Sequence, residues 1–187
     1  MPKIPIFEKK NVLVTGGAGF IGSYLCEALL KEAKVICMDN LVSGSVQNIE
    51  HLLSHPDFIF IKHDINEAID LAKWPELGRF KVQFQGVQEI YHLACPTAPK
   101  DFEKYRIDTL KANSVGTAHV LDLAVQWKAR VLFTSSSVVY GARPRETPFV
   151  SEDDLGVVDQ NSPHGCYDEG KRFAETMMTT YSAVYGM

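Results

Sequence analysis

The stretch "VTGGAGFIGSYL", residues 14 to 25, joins an apolar strand-like run directly to a helix-like run through a cluster of glycines. Glycine permits a tight turn, a close approach of the backbone to a pyrophosphate, and close packing of the helix on the strand. Free N–H groups at the start of the helix can then bind the anion. The stretch therefore predicts a dinucleotide-binding turn, with cofactor contacts at Gly16, Gly19, Phe20, Ile21 and Gly22.

Short β-rich runs alternate with longer amphipathic segments along the rest of the chain, a pattern typical of strands joined by crossover helices. We predict strands at 11 to 15, 34 to 39, 58 to 64, 89 to 94 and 130 to 136, and helices at 23 to 32, 109 to 127 and 168 to 185. Segments 96 to 108 and 142 to 166 are predicted loops at strand ends, where open α/β sheets bind ligands. The expected fold is α/β, a Rossmann-type doubly wound parallel sheet with helices on both faces.

Composition places the chain among ordinary globular proteins and excludes several classes of function. The 187 residues are 45% hydrophobic and 22% charged, with a formal net charge of -4, so we expect one domain over 1 to 187 and no nucleic-acid partner. The apolar runs are strand-sized and the N-terminus lacks a signal peptide's apolar stretch, which predicts a cytoplasmic protein without a membrane association. The cysteines and histidines lack ligand spacing, so no metal site is expected.

An acidic residue follows the glycine turn at the distance that a dinucleotide site requires. Asp39 ends the second predicted strand, where a carboxylate can accept hydrogen bonds from the adenosine ribose and repel a 2′-phosphate. This favours NAD over NADP, and neighbouring Asn40 joins the predicted cofactor contacts. The alternative is that Asp39 is only a turn residue at the strand end.

Further cofactor contacts are predicted where the third and fourth strands end. Asp64 and Ile65 could reach the adenine, although an acid that caps a strand is a close alternative. Leu93 and Ala94 would pass under the cofactor with small or apolar surface, and their alternative is an ordinary core position.

A tyrosine and a lysine four positions apart in "CYDEGKR" would share one face of the last predicted helix. Tyr167 and Lys171 would meet Ser136 of the fifth strand end beside the cofactor. An unperturbed tyrosine has a pKa near 10, so its anion needs about 4 kcal/mol of stabilisation at neutral pH. Lys171 and a positive nicotinamide can supply it, with Ser136 holding a substrate hydroxyl. The alternative is a solvated helix turn, and for Ser135 and Ser137 it is a set of turn hydrogen bonds.

Five motifs in order carry a resemblance over nearly the whole chain: the glycine turn, "HLACPTAP", "NSVGT", "SSSVVYG" and "YDEGK". Together they resemble the extended short-chain dehydrogenase/reductase family, the NAD-dependent nucleotide-sugar epimerases and dehydratases. Within it, "DNLVSGSVQNIEHL", "YHLACPTAP" and "CYDEGKRFAET" are most similar to UDP-glucuronate decarboxylases.

The resemblance implies a tightly held NAD that oxidises a UDP-sugar at C4, followed by decarboxylation. It implies Tyr167 as the base, Lys171 as the residue that binds the ribose and lowers the pKa of the tyrosine, and Ser136 as the residue that orients the hydroxyl. Thr97 and Lys111 would contact substrate, although Lys111 could equally be an exposed helix lysine. The family also implies a homodimer through the helices at 109 to 127 and 168 to 185, whose apolar positions could equally be core.

Two departures from the family pattern leave alternatives open. Val138 stands where the decarboxylases and dehydratases carry a glutamate, which makes a UDP-sugar 4-epimerase the alternative. The family is also about twice as long as a Rossmann half. We therefore expect a sheet truncated before the last strands and the substrate domain, either as part of a longer enzyme or as a non-catalytic NAD-binding module.

Overall fold

The computed structural model describes residues 9 to 98, 103 to 142 and 149 to 187. Within these ranges the chain forms a five-stranded parallel sheet in the order β3-β2-β1-β4-β5. The strands are β1 (Lys10–Thr15), β2 (Ala33–Asp39), β3 (Phe58–Lys62), β4 (Glu89–His92) and β5 (Arg130–Phe133). The prediction of a Rossmann-type parallel sheet is confirmed.

Both faces of the sheet are covered, because alternate side chains of β1 and β2 enter two separate cores. Leu13 and Ile36 lie in a core with Val120 and Ala124, whereas Val12 and Val35 lie in a second core. A strand buried on both faces reads as a continuous apolar run, which is why "NVLVT" and "KVICMD" were predictable from sequence.

The helices are α1 (Phe20–Leu29), α2 (Val82–Gln85), α3 (Arg106–Lys111), α4 (Thr117–Trp127) and α5 (Gly165–Tyr185). A π-helical turn, Ala112–Gly116, joins α3 to α4, so that one helical run covers 106 to 127. Short 3-10 helices complete the connections at Val46–Asn48, Glu50–Leu52, Leu71–Lys73, Pro75–Phe80 and Ser137–Tyr140.

Several predicted boundaries are wrong by a few residues. The first helix was expected from residue 23, but it begins at Phe20 because Gly19 is extended and caps it through its backbone. The helices expected from 109 and 168 begin at Arg106 and Gly165, which shortens both predicted loops. Residues 99 to 102 and 143 to 148 of those loops lie outside the described ranges. Strands β3, β4 and β5 end two or three residues before their predicted last residues, at Lys62, His92 and Phe133.

A buried carboxylate ties the amino-terminal ends of three strands together. Glu89 at the start of β4 contacts Lys10 of β1 at 2.8 Å and Arg130 of β5 at 2.5 Å. Burial is the largest single effect on the pKa of Glu89 and raises it. The two cations together outweigh burial and hold the pKa of Glu89 below its usual range. The ion pairs lie at the edge of the sheet opposite to the predicted ligand site.

Helix α5 packs against α3 and α4, and β5 lies at the edge of the sheet, where Leu132 is 51% exposed. In the helices named for a dimer, Leu110 and Val115 are exposed while Leu121 is buried, so only some of their apolar residues belong to the core. None of the described helices has the length and apolar character needed to span a bilayer.

Candidate functional site

A pocket of about 510 Å³ lies at the carboxyl ends of the strands. It is bounded by the glycine turn, by the loops after β2, β3, β4 and β5, and by the start of α5. The size falls in the range of small-molecule and cofactor sites. Strand order reverses at β1, so the pocket lies at the topological switch point where ligands bind in such sheets.

The glycine turn has the geometry of an anion cradle. Gly16 has φ +72, and a Cβ there would lie 2.8 Å from the backbone nitrogen of Ala94. A Cβ at Gly22 would lie only 2.2 Å from the carbonyl oxygen of Gly16, so α1 packs directly on the turn. Since no side chain caps α1, the first N–H groups of the helix, at Phe20 and Ile21, stay available to a phosphate.

Asp39 is held at the end of β2 with its carboxylate over the turn. The side chain is 8% exposed, and its oxygens accept hydrogen bonds from the N–H of Ala18 at 3.0 Å and of Leu41 at 2.7 Å. Burial raises the pKa of Asp39, and the two N–H donors oppose that rise. A Cβ at Gly44 would lie 3.0 Å from both carboxylate oxygens, so glycine leaves room for a ribose there.

The loops after β2 and β3 meet at the same end of the pocket. Asn40 donates its side-chain amide to Asp64 at 3.1 Å, and Asp64 accepts the N–H of Asn66 at 2.9 Å. Ile65 is buried, and its side chain packs against Gly116. A Cβ added at Gly116 would lie 2.8 Å from Cδ1 of Ile65. Asn40, Asp64 and Ile65 therefore line the pocket together with Asp39.

Leu93 and Ala94 follow β4 and line the middle of the pocket. Leu93 continues the sheet by donating its N–H to the carbonyl of Thr15 at 3.0 Å. Both residues are half-buried, as expected for residues that pass under a ligand while supporting the turn above.

Lys171 reaches the pocket from α5 and is almost fully buried. Its side chain is 2% exposed, and Nζ donates to the carbonyl of Thr134 at 2.8 Å. Burial lowers the pKa of Lys171, while the nearby Cys95 and Glu175 oppose the change. A buried lysine that lines a pocket is a candidate functional group by this physical criterion.

Tyr167 lies one helical turn before Lys171, and the Lys171 Nζ is 5.8 Å from its ring centroid. Burial raises the pKa of Tyr167, and the hydroxyl of Ser136 lowers it through a side-chain hydrogen bond. Ser136 also caps the Ser137–Tyr140 turn by accepting the N–H of Val138, the role that the sequence had suggested for Ser135 and Ser137 instead. Ser135 donates to Glu175 at 2.5 Å.

The three predicted substrate contacts differ in position, and Ser136, although it is hydrogen-bonded to Tyr167, is not among the described residues that line the pocket. Thr97 is exposed and lines the pocket. Lys111 is exposed on α3 and is not among the described residues that line the pocket.

Twelve of the described residues that line the pocket were missed in the sequence, among them Ser43, Gly44, Cys95, Asp108 and Thr134. Those after β2, β4 and β5 follow strand ends, so the rule that ligands bind at carboxyl ends could have found them. Asp108 gave no sequence signal, because it looks like any exposed helix residue.

Comparison with known proteins assigns the family. Residues 12–187 match the model of the NAD dependent epimerase/dehydratase family. The chain belongs to this family. Its resemblance to that family, predicted from five motifs, is confirmed, and the NAD dependence of the family agrees with a cradle that fits a pyrophosphate and an acid that fits a ribose.

Among curated members of the NAD-dependent epimerase/dehydratase family, the chain is similar to two decarboxylases. It is 39% identical over 181 residues to UDP-glucuronic acid decarboxylase 1 of Danio rerio, covering 96% of this chain and 40% of the relative. It is 40% identical over 182 residues to UDP-glucuronic acid decarboxylase 6 of Arabidopsis thaliana, covering 95% and 48%. The chain thus spans less than half the length of these relatives.

Solved structures of the family show the same fold. UDP-glucuronic acid 4-epimerase from Bacillus cereus, solved with NAD, is 32% identical with a TM-score of 0.72, covering 95% of this chain and 54% of that one. UDP-N-acetylglucosamine 4-epimerase from Methanobrevibacter ruminantium M1 is 29% identical with a TM-score of 0.77, covering 97% and 53%.

Proposed function

We propose that this chain is the NAD-binding and catalytic part of a nucleotide-sugar enzyme that oxidises a UDP-sugar at C4 and then decarboxylates it. The observation that carries the proposal is the convergence of Tyr167 and buried Lys171 on the pocket that the glycine turn opens. Similarity to UDP-glucuronic acid decarboxylases over almost the whole chain supports the substrate and the reaction.

The chain's own residues would hold NAD along the pocket. The turn from Gly16 to Gly22 would bind the pyrophosphate, Asp39 would accept the ribose hydroxyls, and Asp64 with Ile65 would contact the adenine. Because the carboxylate of Asp39 repels a 2′-phosphate, NAD is favoured over NADP. When bound, NAD supplies a reversible hydride acceptor beside the sugar.

The catalytic step assigned to this chain is proton removal from the C4 hydroxyl. Ser136 would orient that hydroxyl, and Tyr167 Oη would accept its proton. In the chain alone burial raises the pKa of Tyr167, so the tyrosinate needs the positive charge of Lys171 and of the nicotinamide ring. Lys171 would also bind the nicotinamide ribose.

A UDP-sugar 4-epimerase is the second candidate, because Val138 can neither donate nor accept a proton. Val138 lies in the Ser137–Tyr140 turn, and its backbone N–H donates to the hydroxyl of Ser136. Oxidation, rotation of the keto-sugar and reduction need no further acid, and several similar solved structures are 4-epimerases. Thr97 is proposed to contact the sugar in either reaction, and Lys111 would do so only after reaching in from the surface of α3.

The larger assembly follows from the same proposal. Residues 1 to 187 would be the Rossmann part of a longer enzyme, and the exposed apolar residues of 109 to 127 and 168 to 185 would contribute to a homodimer. The cytoplasmic location stays a prediction.

The test uses the longer protein that contains this chain, incubated with NAD and with UDP-glucuronate or UDP-hexoses. We expect a decarboxylated sugar from UDP-glucuronate, whereas a C4 epimer alone would favour the second candidate. Tyr167→Phe should slow hydride transfer at least 100-fold, with NAD affinity within about twofold of the parent. Tyr185→Phe, on an exposed part of the same helix, is the matched control.

Two outcomes would contradict the proposal. Unchanged turnover in Tyr167→Phe would remove the tyrosine from the role of base. Calorimetry that detects binding of neither NAD nor UDP-sugars would leave a non-catalytic module as the remaining alternative.

A further inference from the structure

The burial of Lys171 needs a physical explanation. Lys171 is 2% exposed, yet none of the ion pairs between described residues includes it. Its hydrogen bond to the protein goes to the carbonyl of Thr134, at 2.8 Å. A buried cation without a charged partner is unfavourable unless other groups stabilise it.

Phe133 supplies a second favourable contact. It is the last residue of β5, and its ring centroid lies 4.4 Å from Lys171 Nζ. An ammonium over an aromatic face is attracted by the negative face of the ring, and the attraction grows when the pair is shielded from water. Phe133 and Thr134 therefore stabilise the same cation with a ring and a carbonyl from consecutive residues.

His92 fixes that ring from the neighbouring strand. Its own ring lies 5.6 Å from that of Phe133, and its two nitrogens bond to the hydroxyls of Thr15 at 2.7 Å and Thr117 at 3.2 Å. Burial, with the charge of Lys171, lowers the pKa of His92 to about 3, so the imidazole is neutral in ordinary buffers. A neutral ring supports Phe133 without adding a second positive charge.

The two strands are also joined through backbone groups. The N–H of Thr134 donates to the carbonyl of His92 at 3.2 Å, and the Thr134 hydroxyl donates to the same oxygen at 3.3 Å. Thr134, whose carbonyl accepts the hydrogen bond from Lys171, is therefore held by His92, the residue that also supports the Phe133 ring.

We infer that Phe133, held by His92, is a positioning residue that keeps Lys171 charged and aimed at Tyr167. The inference rests on the proposed function, in which Lys171 stabilises the tyrosinate. Phe133 contributes no group to the reaction and acts only through the lysine.

Other titratable groups face Lys171 and must stay constant in a test. Cys95 approaches from the loop after β4, His92 from β4, and Tyr167 and Glu175 from α5. Replacing Phe133 changes none of these groups, so a change in the ionisation of Lys171 reports on the ring.

The experiment follows the ionisation of Lys171 directly by NMR of the 187-residue chain labelled with ¹³Cε-lysine. Lys171→Met assigns the resonance. Losing the ring in Phe133→Leu should lower the pKa of Lys171 by about one unit relative to the parent. Phe133→Tyr, which keeps the ring, should restore the parent value to within about 0.3 unit, and exposed Leu132→Ala should leave it unchanged.

In the longer enzyme the alkaline limb of the turnover profile should move down in pH by the same amount in Phe133→Leu. If this variant fails to fold, Phe133→Met, which nearly conserves volume, serves in its place with the same expected shift. A Lys171 titration unchanged by Leu or Met, or an equal shift in Tyr, would overturn the inference. Because NMR needs no turnover, this result stays separate from the Tyr167→Phe test of function.

Discussion

Replacing Gly22 by alanine should weaken NAD binding and destabilise the fold through one steric contact. The added Cβ would lie 2.2 Å from the carbonyl oxygen of Gly16 and 2.7 Å from Cα of Gly17. Close carbon–oxygen contacts in proteins start near 3.3 Å, so α1 must move away from the turn by about 1 Å. Because both contacted atoms belong to the backbone, no side-chain rotation can relieve the clash.

The expected cost is that of overpacking, about 1 to 3 kcal/mol. For a chain of this size it corresponds to a fall in melting temperature of roughly 2 to 12 °C. The same displacement moves the N–H groups at the start of α1 relative to Gly16, so we expect NAD affinity to fall at least about tenfold.

Gly78→Ala is the matched control, because a Cβ there meets no heavy atom of the described residues within 4 Å. It should leave NAD affinity unchanged and shift stability by no more than about 1 kcal/mol. Thermal unfolding and calorimetry with NAD measure both quantities. The steric argument would be refuted if the Gly22→Ala chain had the melting temperature of the parent and an NAD affinity within about twofold of the parent's.

Three further predictions concern charged groups. Asp39→Asn should raise affinity for NADP relative to NAD at least tenfold in competition calorimetry, because the variant no longer repels a 2′-phosphate. Glu89→Gln should lower the free energy of unfolding in urea by about 1 to 2 kcal/mol at pH 7. Since the folded pKa of Glu89 is lowered, this stabilisation exists above the unfolded pKa and is lost as pH falls through the folded value, so the difference should vanish in acid. Asp108→Asn, in the lining of the pocket, removes a carboxylate that repels an acidic sugar, so it should tighten UDP-glucuronate about two- to fivefold and leave UDP-glucose unchanged, as measured by titration of the NAD-bound longer protein.

The sheet could be predicted from sequence because strands buried on both faces give apolar runs that few other structures produce. The start of α1 could not be placed, since its cap is a glycine whose backbone does the capping and the first turn has no acidic residue. The π-helical turn at Ala112–Gly116 also gave no pattern, because it depends on tertiary packing of α5 against "NSVGT" rather than on local preference.

The predicted site residues are mostly brought together because parallel strands end at one edge. Among the three consecutive serines, the sequence already singled out Ser136; the structure adds that Ser136 is hydrogen-bonded to Tyr167, whereas Ser135 is bound to Glu175. Asp108 and Lys111 are both polar residues on one short helix, and their direction relative to the pocket is set by how α3 meets α5.

Among the residues that the structure describes, the sheet separates two cores that share no side chain. Val12 and Val35 pack with Cys26 of α1, the helix that follows the glycine turn. Leu13 and Ile36 pack with Val120 of α4, and α5 lies against α4. Substitutions in the two cores should therefore add in their effects on stability, while pairs within one core should couple. The half of the domain that carries α1 and the glycine turn can thus change its packing during evolution with little consequence for the half that carries Tyr167 and Lys171.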